Sequence, residues 1–309
     1  MVPVHELGVD EKEQVFYTMK LVKGVNLDDI LSGIKDGNAD LIKKYPLNRL
    51  LNIFLKICEG MSFAHHRKVI HRDLKPENIM VGDYGEVLVM DWGLSKVLET
   101  RGHQAEDRGQ QRKADVVEKE RGMDEIESQR FHESGGPMLT MDGTIMGTPG
   151  FLSPEQACGK VNEMDARTDI YALGGILYNI LALRPPVEAD NINMILIKTA
   201  KGEITPPVEL NASGSFPHCP NNKIPPALSS VTMKALALGM NDRYQSAIEL
   251  QHEIESYQSG YATSAQEAGP LTQLILLVKR HKGMFGTLAA AFVLIILIVG
   301  IAFYQVNQE

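Results

Sequence analysis

The stretch that most constrains this 309-residue chain runs from His71 to Asn78 and reads His-Arg-Asp-Leu-Lys-Pro-Glu-Asn. Asp91 follows thirteen residues later, at the start of Asp-Trp-Gly. Together these residues supply a candidate base, a cation and two metal-binding side chains at fixed spacing. The five specified residues of His-Arg-Asp-Leu-x-x-x-Asn arise by chance in such a chain with a frequency on the order of 10⁻⁴. Coincidence is therefore a poor explanation for the pattern.

The composition is that of a globular protein, with 44% hydrophobic and 23% charged residues. The net charge is −8, which gives no indication of a nucleic-acid partner. The three cysteines are widely spaced and form no Cys-x-x-Cys pair, which is typical of a reduced compartment. Cys58 lies in an apolar helical pattern and is predicted to pack in the core.

Local patterns predict strands at 2–7 and 14–22, and a helix starting at Leu27 with Asn26 as its N-cap. A second helix is predicted from Leu47 to His66, because its apolar residues recur at helical spacing. His65 and His66 at its end are read as favourable charges for the helix dipole rather than as metal ligands. Further helices are predicted at about 191–201, 226–238 and 245–258, and one that opens at Thr168.

The segment around the opening motif reads as short strands joined by loops. Residues 68–70 form a predicted strand, and residues 79–81 and 87–90 form a predicted hairpin. This arrangement brings Asp73, Asn78 and Asp91 toward one point. Carboxylate and amide oxygens that converge suit Mg²⁺, which is a hard cation.

These motifs resemble those of serine/threonine protein kinases of the bacterial receptor type, over roughly residues 2–258. The resemblance implies that Asp73 accepts the proton of the substrate hydroxyl and that Asn78 and Asp91 hold Mg²⁺, with Mn²⁺ as an alternative. It implies that Lys75, the family's mark of Ser/Thr specificity, stabilises charge on the transferred phosphoryl group. Trp92 stands where the family has Phe, and we expect only its packing to differ.

The same resemblance assigns supporting roles. Asp169 is expected to hydrogen-bond the backbone of the loop that contains His71 and Arg72, although its position alone would suggest an N-cap. Glu155 is expected to form a buried ion pair with Arg243. The end of the second strand is expected to contact the adenine of ATP through Met19, Lys20, Leu21 and Val22. The alternative is an ordinary buried strand end.

Residues 94–146 correspond to the family's activation segment with a charged insertion, since 96–133 carries eight basic and ten acidic side chains. Thr140 and Thr144 are candidate phosphorylation sites, and a phosphate there could pair with Arg72. For either threonine a plain loop hydroxyl is an equal alternative. Thr148 is expected to bond Asp73 and Lys75.

The end of the chain has a different character. Residues 284–304 contain no charged side chain and would span about 31 Å as a helix, which matches a bilayer core. Lys279, Arg280 and Lys282 flank this segment on its N-terminal side. The positive-inside rule then predicts a single-pass protein of the bacterial inner membrane with its kinase domain in the cytoplasm.

The expected fold class is α+β, a kinase-like fold with a truncated small β lobe, a mostly helical large lobe and a C-terminal transmembrane helix. The predicted segments are a small-lobe remnant and hinge at 1–24, a large lobe at 25–258, a juxtamembrane linker at 259–283, the span at 284–304 and a tail at 305–309.

Three functions remain open from the sequence. The first is an ATP- and Mg²⁺-dependent kinase that phosphorylates Ser and Thr of proteins, and the second is a catalytically impaired, membrane-tethered binding module. The third is a tail-anchored scaffold that binds no nucleotide. No Gly-x-Gly-x-x-Gly loop, ATP-anchoring lysine or partner glutamate is recognisable. We therefore expect the chain to resemble the later part of a longer kinase and to transfer little phosphate by itself. Whether two chains associate is left open.

Overall fold

The computed structural model describes residues 4–9, 15–19, 23–92, 95–97 and 149–266, together with isolated residues between 269 and 300. Three small antiparallel sheets occur in these ranges: β1 with β2, β3 with β5 and β6, and β4 with β7. The strands are β1 Val4–Val9, β2 Val15–Met19, β3 Val25–Asn26, β4 Val69–Ile70, β5 Ile79–Val81, β6 Val87–Val89 and β7 Lys96–Val97.

Helices make up most of the remaining described chain. They are α1 Leu27–Lys35, α2 Ala39–Lys44, α3 Leu47–His66, α4 Pro154–Ala157, α5 Ala166–Ala182, α6 Ile192–Lys201, α7 Pro226–Ala235 and α8 Ala247–Gln258. Small sheets beside a large helical body agree with the expected protein-kinase fold.

The predicted start of α1 and the whole of α3 are confirmed. The Asn26 side chain accepts a hydrogen bond from the Asp29 N–H at 2.7 Å, which satisfies a donor that the first turn of α1 leaves open. In α3 all the predicted core positions are buried, namely Leu50, Leu51, Phe54, Ile57, Cys58, Met61 and Ala64. Truncating one of the large members, such as Ile57→Ala, would cost roughly 2–5 kcal/mol of stability.

The central element of the core is α5, in which every residue from Thr168 to Ala182 is buried. A helix that is apolar on all sides must be surrounded by other elements, and α5 packs against α3 and α7. The helix begins at Ala166 with Asp165 as its N-cap, two residues before the predicted start at Thr168. Because the cap is made by Asp165, the Asp169 carboxylate inside the first turn is available for other contacts.

The catalytic-type stretch lies between β4 and β5, and the β5–β6 hairpin leads directly to Asp91. The predicted hairpin is present, and its register pairs Ile79 with Val89 and Val81 with Val87. The Met90 N–H donates to the Asn78 carbonyl at 2.8 Å. These backbone bonds fix the two ends of the site relative to each other.

None of the helices that the structure describes is long and apolar enough to cross a membrane. Most of the predicted span at 284–304 lies outside the described residues. The predicted transmembrane helix therefore stays a prediction from the sequence.

Candidate active site

A buried carboxylate on α5 holds the entrance of the loop. Asp169 accepts the His71 N–H at 2.8 Å and the Arg72 N–H at 2.9 Å, and its Oδ2 lies 2.8 Å from Nε2 of His65. The Asp169 side chain is completely buried. A buried carboxylate must be matched by donors, and here two loop amides and an imidazole provide the match. The expected contact between Asp169 and the loop backbone is present.

The imidazole of His71 joins the loop to the strand that precedes Asp91. Its Nε2 lies 2.9 Å from the Met90 carbonyl, and its Nδ1 lies 3.3 Å from the Asp73 N–H. Neutral imidazole has one donor and one acceptor nitrogen, so both contacts are satisfied when Nε2 carries the proton. The ring also packs against Trp92 at a centroid distance of 4.6 Å.

Trp92 replaces the family's Phe, and its packing is defined by two contacts. The indole N–H donates to the Val89 carbonyl at 3.0 Å, a bond that a phenyl ring could not make. The half-buried ring packs against the core. Trp92 therefore makes a polar contact in addition to the apolar packing that the family resemblance implied.

The proposed base and its neighbours form one connected group. Asp73 Oδ2 lies 3.2 Å from the Lys75 ammonium and 3.2 Å from the amide nitrogen of Asn78. The same amide nitrogen donates to the Asp73 carbonyl at 2.9 Å. Because both contacts use the nitrogen, the amide oxygen is the atom with which Asn78 would bind a cation.

Asp91 lies at the surface with a left-handed backbone, φ 54°. Its backbone position next to Met90 brings it beside Asn78. An amide oxygen and a carboxylate are hard donors that fit Mg²⁺, which usually takes one or two protein ligands and completes its shell with phosphate and water oxygens. Asn78 and Asp91 are thus the residues that would hold the metal.

A second anchor lies on the far side of the loop. Glu155 on α4 forms a buried ion pair with Arg243 at 2.8 Å and also accepts from the Thr168 hydroxyl at 2.8 Å. Burial by itself raises the pKa of the Glu155 carboxyl, but the hydrogen bonds and charge of Arg243 outweigh burial and lower the pKa below its ordinary value. The expected ion pair is present.

The side chains of several residues predicted from the sequence lie outside the part of the chain that the structure describes. Met19 ends β2, where the structure describes only the backbone. The others lie outside the described residues; they are Lys20, Leu21, Val22, Thr140, Thr144 and Thr148. Their expected roles in ATP binding and activation stay predictions.

Two side chains of this region were not assigned such contacts from the sequence. His65, interpreted as a helix-dipole residue, instead directs Nε2 at the buried Asp169. Gln156 was not singled out, yet its amide donates to the Arg72 carbonyl at 2.6 Å. No local signal predicts either contact, because the partners lie 104 and 84 residues apart in the chain.

Comparison with known proteins gives the family. Residues 5–117 match the model described as protein kinase domain. Over 266 residues the chain is 31% identical to the serine/threonine-protein kinase PknD of Protochlamydia amoebophila. The aligned residues cover 84% of this chain and 24% of that protein. The PknD proteins of Chlamydia trachomatis serovar D and of Chlamydia pneumoniae are 33% and 32% identical over 263 residues, again 84% of this chain and 25% of each relative.

The chain belongs to the protein kinases, and the relatives named above are serine/threonine-protein kinases of bacteria. It spans about a quarter of the length of the curated relatives that it matches.

Proposed function

We propose that this chain carries out protein phosphorylation, in which the γ-phosphoryl group of ATP is transferred to Ser and Thr hydroxyls of proteins. The observation that carries the proposal is the connected group of Asp73, Lys75 and Asn78 on a loop held by Asp169. A solvated loop network would not need a buried carboxylate to fix its backbone. The relatives' names support the same reaction.

In the proposed reaction the substrate hydroxyl oxygen forms a bond to the γ-phosphorus while the bond to the β–γ bridging oxygen breaks and ADP leaves. Asp73 accepts the hydroxyl proton on its carboxylate. The Lys75 ammonium, 3.2 Å from that carboxylate, lies where it can balance negative charge on the transferred group. Mg²⁺ bound by Asn78 and Asp91 would neutralise charge on the phosphates.

The test is Asp73-dependent incorporation of label from γ-labelled ATP into casein and into the full chain itself. We expect slow transfer, since no residue of the chain matches the Gly-rich loop or the ATP-anchoring lysine. Asp73→Asn should lower the rate by roughly 10²–10⁴-fold, as removal of a general base does. Asp83→Asn, which changes an exposed aspartate of the β5–β6 turn, is the matched control and should leave the rate unchanged.

The same assay separates a kinase from a kinase-like binding module. A folded chain that binds Mg²⁺–ATP but shows no incorporation above the Asp73→Asn background would favour the binding module. Incorporation that is well above a protein-free blank and equal in the wild-type chain and in Asp73→Asn would instead contradict the assignment of Asp73 as the base.

We further propose that residues 284–304 anchor the chain in a bacterial inner membrane with the kinase domain in the cytoplasm. The support is the uncharged run from 283 to 308, preceded by Lys279, Arg280 and Lys282. The full chain should remain with membranes after alkaline carbonate extraction. A double variant, Leu294→Lys with Ile296→Lys, should be extracted, whereas Leu294→Ile with Ile296→Leu should not. Extraction of the wild-type chain would refute the anchor.

A further inference from the structure

Buried side chains hold both peptide groups that flank Arg72. On one side the Arg72 N–H donates to Oδ1 of Asp169 at 2.9 Å. On the other side the Arg72 carbonyl accepts from Nε2 of Gln156 at 2.6 Å. Between them Arg72 adopts a left-handed backbone, φ 69°. A residue with a Cβ atom disfavours this conformation, so the two flanking bonds stabilise a backbone that Arg72 would not adopt by itself.

The orientation of the Gln156 amide is fixed by its own helix. Gln156 is the third residue of α4, and its Oε1 accepts the Ser153 N–H at 3.0 Å while the Ser153 hydroxyl accepts the Gln156 N–H at 3.3 Å. With Oε1 used in this way, Nε2 faces the Arg72 carbonyl. If the amide were flipped, Oε1 would face the Arg72 carbonyl oxygen and Nε2 would face the Ser153 N–H, so neither hydrogen bond would form.

The helix cap alone does not require glutamine. Glu serves as well as Gln at this position of a capping box, because only an acceptor oxygen is needed. The contact with Arg72 does require a donor, which a carboxylate lacks. The Gln156 side chain is 3% exposed, so a donor lost there is not replaced by water.

We propose that Gln156 is a positioning residue. From α4 it donates to the Arg72 carbonyl, and this bond fixes the direction in which the Asp73 side chain points. Asp73 is the next residue after Arg72, so a rotation of the Arg72 peptide group moves its carboxylate. The inference rests on the proposed function of Asp73 as the base. It gives the start of α4 a direct mechanical link to the loop, separate from the ion pair between Glu155 and Arg243.

The decisive variant is Gln156→Glu in the full chain, because it keeps the acceptor for Ser153 and removes the donor for Arg72. We expect the Asp73-dependent rate at saturating ATP to fall by about tenfold or more, since small misplacements of reacting groups have effects of this size. The KM for ATP should stay within about twofold, since ATP does not contact Gln156 under this proposal. Ser153→Ala, which removes a cap bond from the same helix, is the matched control and should leave the rate within about twofold.

Hydrogen exchange of the peptide that covers residues 71–73 tests the positioning without any phosphate transfer. Gln156→Glu should speed exchange of these amides by about tenfold, and Ser153→Ala should leave it unchanged. If Gln156→Glu does not fold, Gln156→Met, which is similar in length and carries no charge, replaces it.

The two readouts distinguish the two proposals. A folded wild-type chain without transfer would remove the proposed function, while the exchange comparison would still decide whether Gln156 orders the loop. Unchanged exchange and rate in Gln156→Glu would overturn the positioning role. Equal effects of Gln156→Glu and Ser153→Ala would also overturn it, because they would assign the effect to the helix cap.

Discussion

Arg243 and Glu155 meet through two parallel hydrogen bonds, Nη1 to Oε1 and Nη2 to Oε2, each 2.8 Å long. The other N–H groups of the guanidinium donate to the carbonyls of Arg167, Ala237 and Leu238. All five donors of the planar group are therefore used. The two side chains are 0% and 4% exposed, so either one would be left as an unpaired buried charge without the other.

Removing one partner of this pair should be strongly destabilising. We expect Arg243→Met to lower the free energy of unfolding by about 3–5 kcal/mol, because Glu155 would then be buried without its cation. Urea unfolding of the variant and the wild-type chain at pH 7 measures the difference. Glu163→Gln, which breaks the exposed ion pair with Lys160, is the control and should change little. A loss below about 1 kcal/mol for Arg243→Met would contradict this account.

Asp91→Asn should weaken the binding of Mg²⁺ without unfolding the chain. Asn adopts a left-handed backbone readily, so φ 54° is not strained by the change. Loss of a direct ligand should raise the Mg²⁺ concentration for half-maximal transfer by more than the roughly 10–100-fold typical of an outer-shell partner. Titrations with MgCl₂ measure this, with Asp83→Asn as the control. An unchanged midpoint would exclude Asp91 as a ligand.

Acidification should destabilise the chain through His218. Burial lowers the pKa of His218, although its hydrogen bond to the Ile180 carbonyl acts in the opposite direction. The unfolded chain binds a proton at this histidine near pH 6.5 while the folded chain does not. The stability that His218 contributes is therefore present above about pH 6.5 and is lost as the pH falls toward the lowered pKa of the folded state.

The measurement is the free energy of unfolding at pH 7 and at steps down to pH 5. His218→Gln keeps a donor for the Ile180 carbonyl but does not titrate, so its free energy should fall less steeply with acidification than that of the wild-type chain. His252→Gln changes an exposed histidine and should retain the wild-type slope. Equal slopes for the wild-type chain and His218→Gln would show that His218 is not the group responsible.

Thiol labelling should separate the three cysteines. Cys158 is exposed, whereas Cys58 and Cys219 are buried. Burial raises the pKa of both buried thiols, that of Cys219 to about 12, which suppresses the reactive thiolate. A thiol reagent at neutral pH should therefore modify one cysteine rapidly in the native chain and all three in urea. Cys158→Ser should abolish the fast reaction; a second fast thiol in the native wild-type chain would be evidence against the described burial.

The sequence predicted the elements whose signals are local. The apolar spacing of α3 gave its bounds of Leu47 and His66, and two short apolar runs on either side of a Gly-containing turn predicted the β5–β6 hairpin. The ion pair between Glu155 and Arg243 was also expected, although only through the family resemblance. Such predictions succeed because period and turn chemistry are properties of neighbouring residues.

Elements with weak local signals were missed or misplaced. Helix α2 is six residues long and has no buried residue, so no apolar pattern marks it. The start of α5 was placed at Thr168, where the apolar run opens, whereas the helix begins at Ala166 and Asp165 makes the cap. His65 was read as a dipole residue because it stands in a last helical turn and no carboxylate or cysteine nearby in the sequence is spaced to pair with it. The packing of α3 against α5 supplies that partner.

The core has a consequence for the way the chain can be divided. A single apolar cluster includes Leu51 and Phe54 from before residue 97 and Leu177 and Leu250 from after residue 149. Hydrogen bonds that the Asp169 carboxylate accepts and one that the Gln258 amide donates join the same two portions. Since these contacts do not depend on the covalent connection, the two portions should associate even as separate polypeptides. A longer connection between them should therefore cost little stability, because doubling a connecting loop costs only about 0.6 kcal/mol.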